Sequence, residues 1–191
     1  MTQLMIIVGS VRPGRIGLPV AQWVREAAEN HGGFDIDFVD LKELALPFMD
    51  EPQHPAKRAY EHAHTIAWSA RVDAADAFIF VSPEYNHSYS PALKNAIDFL
   101  FQEWRHKSVG YVSYGGVSAG TRAVAALDAV AITVGLVKVA STVEINNPGT
   151  YLTDGVFSAQ EKHQAILGRL LDELTATSGA LKTLRSWHAP S

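Results

Sequence analysis

The chain has no cysteine among its 191 residues. That excludes a disulfide scaffold, a cysteine nucleophile, a thiolate-bound metal and a cysteine-ligated iron–sulfur cluster. Long apolar runs are missing too: no segment reaches the roughly 18 consecutive apolar residues of a membrane-spanning helix. The opening Met1–Ser10 lacks a basic lead and a long apolar stretch, so it reads as a strand and the cytoplasm is the expected compartment. Positive charge is in slight deficit, with 16 Lys and Arg against 20 Asp and Glu and a formal net charge of -4. A broad basic surface for nucleic acid is therefore not expected, and no membrane partner is either. The histidines are scattered. His62 and His64, two apart on an expected helix, would not face one metal.

What is present is alternation. Strand-like apolar runs at Leu4–Val8, Phe34–Val39, Ala77–Val81, Val109–Tyr114 and Val137–Ile145 are separated by helix-like stretches near 17–31, 57–74, 90–104 and 120–134, and a last helix falls near 159–184. No repeat or linker interrupts this pattern, which predicts a single domain over 1–191. Regular β–α alternation gives an α/β three-layer sandwich, a parallel sheet with helices on both faces. In the helix from Ser90, with Pro91 in its first turn, Leu93, Ala96, Ile97, Leu100, Phe101 and Trp104 form one apolar stripe. Phe99 lies off that stripe and is expected to point outward, where it could meet another subunit. The tail from Arg185 to Ser191 is expected to be loose.

Five parallel strands in a doubly wound sheet leave two common orders; the expected one, 2-1-3-4-5, places strands 1 and 3 side by side, where the topology reverses and ligands bind beyond the strand ends. The loops after Val8 and Val81 should then carry the chemistry. The first, Gly9-Ser-Val-Arg-Pro-Gly-Arg-Ile-Gly17, offers backbone amides at a helix start, the Ser10 hydroxyl, and Arg12 and Arg15. Two arginines at the positive end of a helix are unfavourable without an anion, so the loop asks for one, such as a phosphate. Glycines 9 and 14 have Walker A spacing, but Arg15 and Ile16 stand where Lys and Ser/Thr are required, and Val11 breaks the dinucleotide fingerprint. A monophosphate fits better than a pyrophosphate. The second loop, Ser82–Pro91, is polar and aromatic, with Tyr85 or Tyr89 as a stacking wall, Asn86 as donor and acceptor, and Glu84 as a possible base.

Gly9–Gly17, Pro83-Glu-Tyr-Asn-His-Ser88, Leu93-Lys-Asn-Ala-Ile-Asp98, Val112-Ser-Tyr-Gly-Gly116 and Asp76–Ser82 together resemble the NADPH-dependent FMN reductase family of flavodoxin-like proteins, which includes quinone, azo and chromate reductases. The resemblance covers about Leu4 to Val143. It implies that Ser10, Arg12, Arg15, Ile16 and Gly17 hold the FMN phosphate. Pro83, Glu84, Tyr85 and Asn86 would line the isoalloxazine, and Ser113, Tyr114, Gly115 and Gly116 would approach its other edge. It also implies NADPH or NADH as hydride donor to flavin N5, a small-molecule electron acceptor, and a homodimer or homotetramer. No protein side chain need then be catalytic, because the flavin carries the chemistry and the protein orients it. A steering role for His87 over the flavin is the lesser reading beside that of a solvated surface histidine. The Tyr89–Ala92 stretch departs from the family pattern and leaves the helix start open.

Two other functions fit parts of the chain. One is an FMN-binding electron carrier that does not react with nicotinamide. The other is a serine hydrolase: Gly116-Val-Ser118-Ala-Gly120 matches a nucleophile elbow, with Asp154 and His163 or His188 following in order. The stretch Asn146–Phe157 is read as a loop that either borders the pocket or only links strand to helix.

Overall fold

A computed structural model describes residues 1–187. Five parallel strands, β1 (Thr2–Val8), β2 (Phe34–Asp40), β3 (Ala77–Pro83), β4 (Ser108–Gly115) and β5 (Val137–Asn146), form one sheet in the order β2-β1-β3-β4-β5. The 2-1-3-4-5 expectation is met. β1 pairs with β3 in register from Leu4↔Ala77 to Val8↔Val81, which brings the two strand ends level. Both strands are covered on both faces and so read as unbroken apolar runs.

Alternation along the strands divides the interior in two. Met5, Ile7, Phe78, Phe80 and Tyr111 face α3 (Ala63–Ala74), α4 (Pro91–Asp98) and α5 (Thr121–Val134). Leu4, Ile6, Val8, Ile79 and Val81 face α1 (Gly17–His31) and α6 (Glu161–Trp187). A four-residue helix, α2 (Leu41–Leu44), follows β2, and a small hairpin, β6 (Leu152–Thr153) with β7 (Val156–Phe157), follows β5. Among the described residues, no helix is long and apolar enough to cross a membrane.

Several expected helices are shorter than their apolar spacing implies. The stretch near 57–74 becomes helical only at Ala63. Arg58 adopts a left-handed φ of 52°, and the Glu51 carboxylate accepts the amides of Glu61 and His62, diverting the chain. His62 thus precedes the helix, and its ring stacks on His64 at 5.3 Å. The helix near 90–104 ends at Asp98, with a 3-10 turn at Gln102–Trp104. Phe99 is fully buried, not outward-facing: the 45–62 segment packs over this flank, tied by Asn95 to the Pro47 carbonyl and the Met49 amide, with the His64 ring edge-on to Phe99. The chain end is anchored as far as Arg185, which donates to Asp76 Oδ1 (2.7 Å) and the His106 carbonyl (2.9 Å). Residues 188–191 of the expected loose tail, His188 among them, lie outside the described residues.

One buried cation bears on stability. Lys107 is 4% exposed, and its ammonium caps the end of α3 by donating to the carbonyls of Val72 (2.8 Å) and Asp73 (3.0 Å). Burial pulls its pKa down from 10.5 to about 8. Above that value the folded chain has released a proton that the unfolded chain keeps up to the normal lysine pKa, so this group's contribution to stability rises with pH through the window. In urea unfolding, wild type should gain about 2 kcal/mol on Lys107→Met between about pH 7.5 and about pH 9.5. A pH-independent gap would contradict this assignment.

Candidate cofactor-binding site

β1 and β3 end side by side, and the helices that follow leave on opposite faces, so the space above the strand ends is open. Three hydrogen bonds stitch the two loops together there. Gly9 N donates to the Val81 carbonyl (2.9 Å), the Ser90 hydroxyl donates to the Gly9 carbonyl, and Ser10 Oγ lies 2.7 Å from Tyr85 Oη. Ser90 also accepts from Leu93 N, capping α4 with Pro91 in its first turn and resolving the helix start.

The two arginines of the first loop have different fates. Arg15 is buried and meets Asp40, at the end of β2, through both guanidinium nitrogens; Nη1 also donates to the Ser10 carbonyl (2.6 Å). The anion that Arg15 calls for is thus supplied inside the chain, a partner the local sequence did not reveal. Asp40 is further fixed by accepting from Lys42 N (2.9 Å). Arg12 is exposed and has no hydrogen-bond or ion-pair partner among the described residues. The start of α1 at Ile16 has no side-chain cap. Below it, the Tyr114 hydroxyl is buried against Gly17, where any Cβ would run into it, and it makes no well-formed hydrogen bond. Burial and the nearby Tyr85 push that phenol's pKa upward. An unpaired cation, an uncapped helix start and an orphaned hydroxyl suit a phosphate.

Beside this cradle lies an open cleft of about 420 Å³, lined by Pro83, Glu84, Tyr85, Tyr114, Gly115, Gly116 and the segment from Asn147 to Thr150. That size suits a cofactor ring system. A Cβ added at Gly116 would meet nothing within 4 Å, so its backbone is free to be approached closely. Tyr85 and Ser88 exchange backbone hydrogen bonds (2.7 and 3.0 Å) around Asn86 and His87, both left-handed, in a tight two-residue turn. His87 is exposed at its tip. Tyr89 packs on the core beside α4, leaving Tyr85 as the aromatic at the cleft. The segment after β5 borders the pocket as well as linking elements. Asn147 N donates to the Gly115 carbonyl (2.7 Å), and Gly149 sits over Ile16.

Glu84 is no general base. Burial raises its pKa, but hydrogen bonds from Ser118 and from the backbone and side chain of Arg122 outweigh that and hold it below the usual carboxylate value. The Ser118 hydroxyl thus serves a carboxylate and not an imidazole. His163 is buried beside Tyr151 with neither ring nitrogen hydrogen-bonded, and Asp154 is exposed in the β6–β7 turn. No Ser118–His163–Asp154 relay forms among the described residues, which leaves a hydrolase role for Ser118 without support.

The sequence profile of the NADPH-dependent FMN reductase family matches residues 2–149. An NAD(P)H-dependent FMN reductase of Nectria sp is 35% identical over 185 residues, covering 94% of this chain and 90% of that one. Another from Schizosaccharomyces pombe is 41% identical over 120 residues, but this chain spans only 60% of its length, and the match takes in 62% of this chain. Among solved structures, a flavoenzyme NAD(P)H:acceptor oxidoreductase from Paracoccus denitrificans superimposes with a TM-score of 0.75 at 23% identity, covering 94% of this chain and 98% of that one. A flavodoxin from Streptococcus pneumoniae gives 0.60 at 17% identity, covering 92% and 99%. At these identities the two structures show a common flavodoxin-like fold. With a match that runs from the first strand to the turn beyond the fifth, this chain belongs to the NADPH-dependent FMN reductase family.

Proposed function

We infer that the protein is an NAD(P)H-dependent flavin oxidoreductase, with FMN held at the junction of the β1 and β3 loops. The observation that carries the reading is the pairing of a cradle suited to phosphate, at Ser10–Gly17, with an adjoining glycine-walled cleft. The names of the relatives from Nectria sp and Schizosaccharomyces pombe agree with it. Ser10, Arg12 and the amides at Ile16 and Gly17 would hold the phosphate, and Arg15 would brace the loop through Asp40. Pro83 to Asn86 would present backbone groups along one side of the ring, with Ser113 to Gly116 along the other and Asn147 to Thr150 closing a third. Bound there, FMN would supply the redox chemistry, accepting hydride from NADPH or NADH and giving electrons to an acceptor. The protein's part is to bind, orient and leave one side open for donor and acceptor in turn. Relatives named as a quinone oxidoreductase of Oryza sativa and an azoreductase of Staphylococcus saprophyticus point to small aromatic acceptors.

The same reading takes the chain as one domain acting in the cytoplasm as a homodimer or homotetramer. Phe99 and Trp104 are used up in the chain's own core, so the surface offered to a second copy is the exposed Phe48 and Met49 beside α4, with the half-buried Phe101.

Purified protein loaded with FMN, freed of excess flavin and oxygen, should lose its flavin absorbance stoichiometrically when NADPH or NADH is added. Retained FMN that neither donor bleaches would assign an electron carrier instead. The two arginines should separate in a second experiment. Arg12→Ala should weaken FMN binding by about 10- to 100-fold, as loss of a charge-assisted hydrogen bond does, with an unchanged melting temperature. Arg15→Ala, which leaves Asp40 buried without its partner, should cost about 3 kcal/mol of stability as well. Wild-type affinity in Arg12→Ala would place the phosphate elsewhere.

A further inference from the structure

The Gly116–Gly120 motif, freed from a hydrolytic role, has a structural one. Its turn is held from two directions. From below, Ser113 Oγ donates to the Ala119 carbonyl (3.0 Å). From across the cleft comes Glu84, whose side chain is only 7% exposed. The Glu84 carboxylate accepts from Arg122 N (3.2 Å) and from Arg122 Nη1 (3.0 Å), the Ser118 hydroxyl beside it helps hold it in the charged form, and Glu84 N donates to the Tyr114 carbonyl (2.9 Å). Gly115 is packed between these supports: a Cβ there would lie 3.1 Å from Gly120 N and 3.4 Å from Glu84 Cβ. The turn needs holding, because Ala119 and Gly120 are both left-handed, at φ 54° and 89°, and for alanine that conformation is unfavourable. On its other side the turn is bare, with Val117 98% exposed and open space at Gly116.

We propose that Glu84, Ser118 and Arg122 are positioning residues, a clamp between the β3 and β4 loops that fixes Gly115–Gly116 opposite Pro83–Tyr85 and so sets the width of the cleft for a flat isoalloxazine ring. The proposal rests on the FMN reading above. The clamp acts through backbone placement. An exposed Arg–Glu pair would contribute little, but this carboxylate is 7% exposed and takes two donors from Arg122 with the Ser118 hydroxyl beside them, so loss of a polar group from that turn lets the turn move. The arrangement leaves no local mark in the sequence, because Glu84 and Arg122 are 38 residues apart.

Riboflavin tests this directly, since it has the ring and lacks the phosphate. Wild type, Ser118→Ala, Glu84→Gln and Ser118→Thr are titrated with riboflavin and with FMN, and the midpoint potential and visible spectrum of the bound flavin are recorded. Ser118→Ala and Glu84→Gln should each weaken riboflavin and FMN by the same factor, about 10-fold, the size expected for a lost hydrogen bond to a charged group. The ratio of the two affinities stays at its wild-type value, and the potential and absorption maxima shift. Ser118→Thr, which keeps the hydroxyl, should restore all of them. A general loss of folding would lower the melting temperature without this pattern, and Ser118→Ala, the milder change, decides the matter where Glu84→Gln is unstable. Unchanged riboflavin affinity, spectrum and potential in Ser118→Ala overturn the clamp while leaving the FMN site standing. Failure of wild type to bind either flavin overturns the FMN reading and the clamp with it.

Discussion

The placement of β1 directly beside β3 is the constraint on which the site depends. Chain leaving β1 must cross one face of the sheet to reach β2, and chain leaving β3 must cross the other to reach β4. No helix can then cover the point between them, and the two loops that diverge there face each other across a gap. The bonds from Gly9 to Val81, Ser90 to Gly9 and Ser10 to Tyr85 turn that gap from a by-product of topology into a fixed site. Ser90 serves both elements, capping a helix and fastening the loop after β1 with one hydroxyl.

Charge in the site is divided between holding and binding. Asp40 and Glu84 are both enclosed, and each is engaged by an arginine and by backbone amides. Removing Asp40 would leave the enclosed Arg15 unpaired, and the cost of that fixes the first loop more firmly than a surface pair would. Arg12 stands outside these networks and is exposed. The contrast within five residues of sequence, one arginine structural and one available, is set by a strand that the sequence places 25 residues further on.

Much of this was legible in the sequence because it is local. Strand positions and the two loops follow from periodicity, Gly and Pro placement and the α/β alternation, while the choice between two common strand orders rests on those two unusual loops and on the family resemblance. What escaped is long-range. Phe99 projects outward on an ideal helix, but Asn95 draws the 47–49 backbone over that flank and buries it. Arg15 looks like a phosphate ligand until Asp40 is seen beside it. Ser118 looks like a nucleophile until Glu84 is. In each case the residue type was read correctly and its partner lay across the fold, where spacing along the chain carries no signal. The segment from Asn147 to Thr150 was left open for the same reason, since only the closed sheet shows that it meets Gly115 and Ile16.

The central claim is that one flavin spans the two loops, phosphate on the first and ring on the second. A crystal structure of the protein grown with FMN tests it most directly. The account predicts the phosphate within hydrogen-bond distance of Ser10 and the Arg12 guanidinium, Arg15 still paired with Asp40, and the ring between Pro83–Asn86 and Gly115–Gly116. A ring bound away from that cleft, or a phosphate held by other residues, would contradict it.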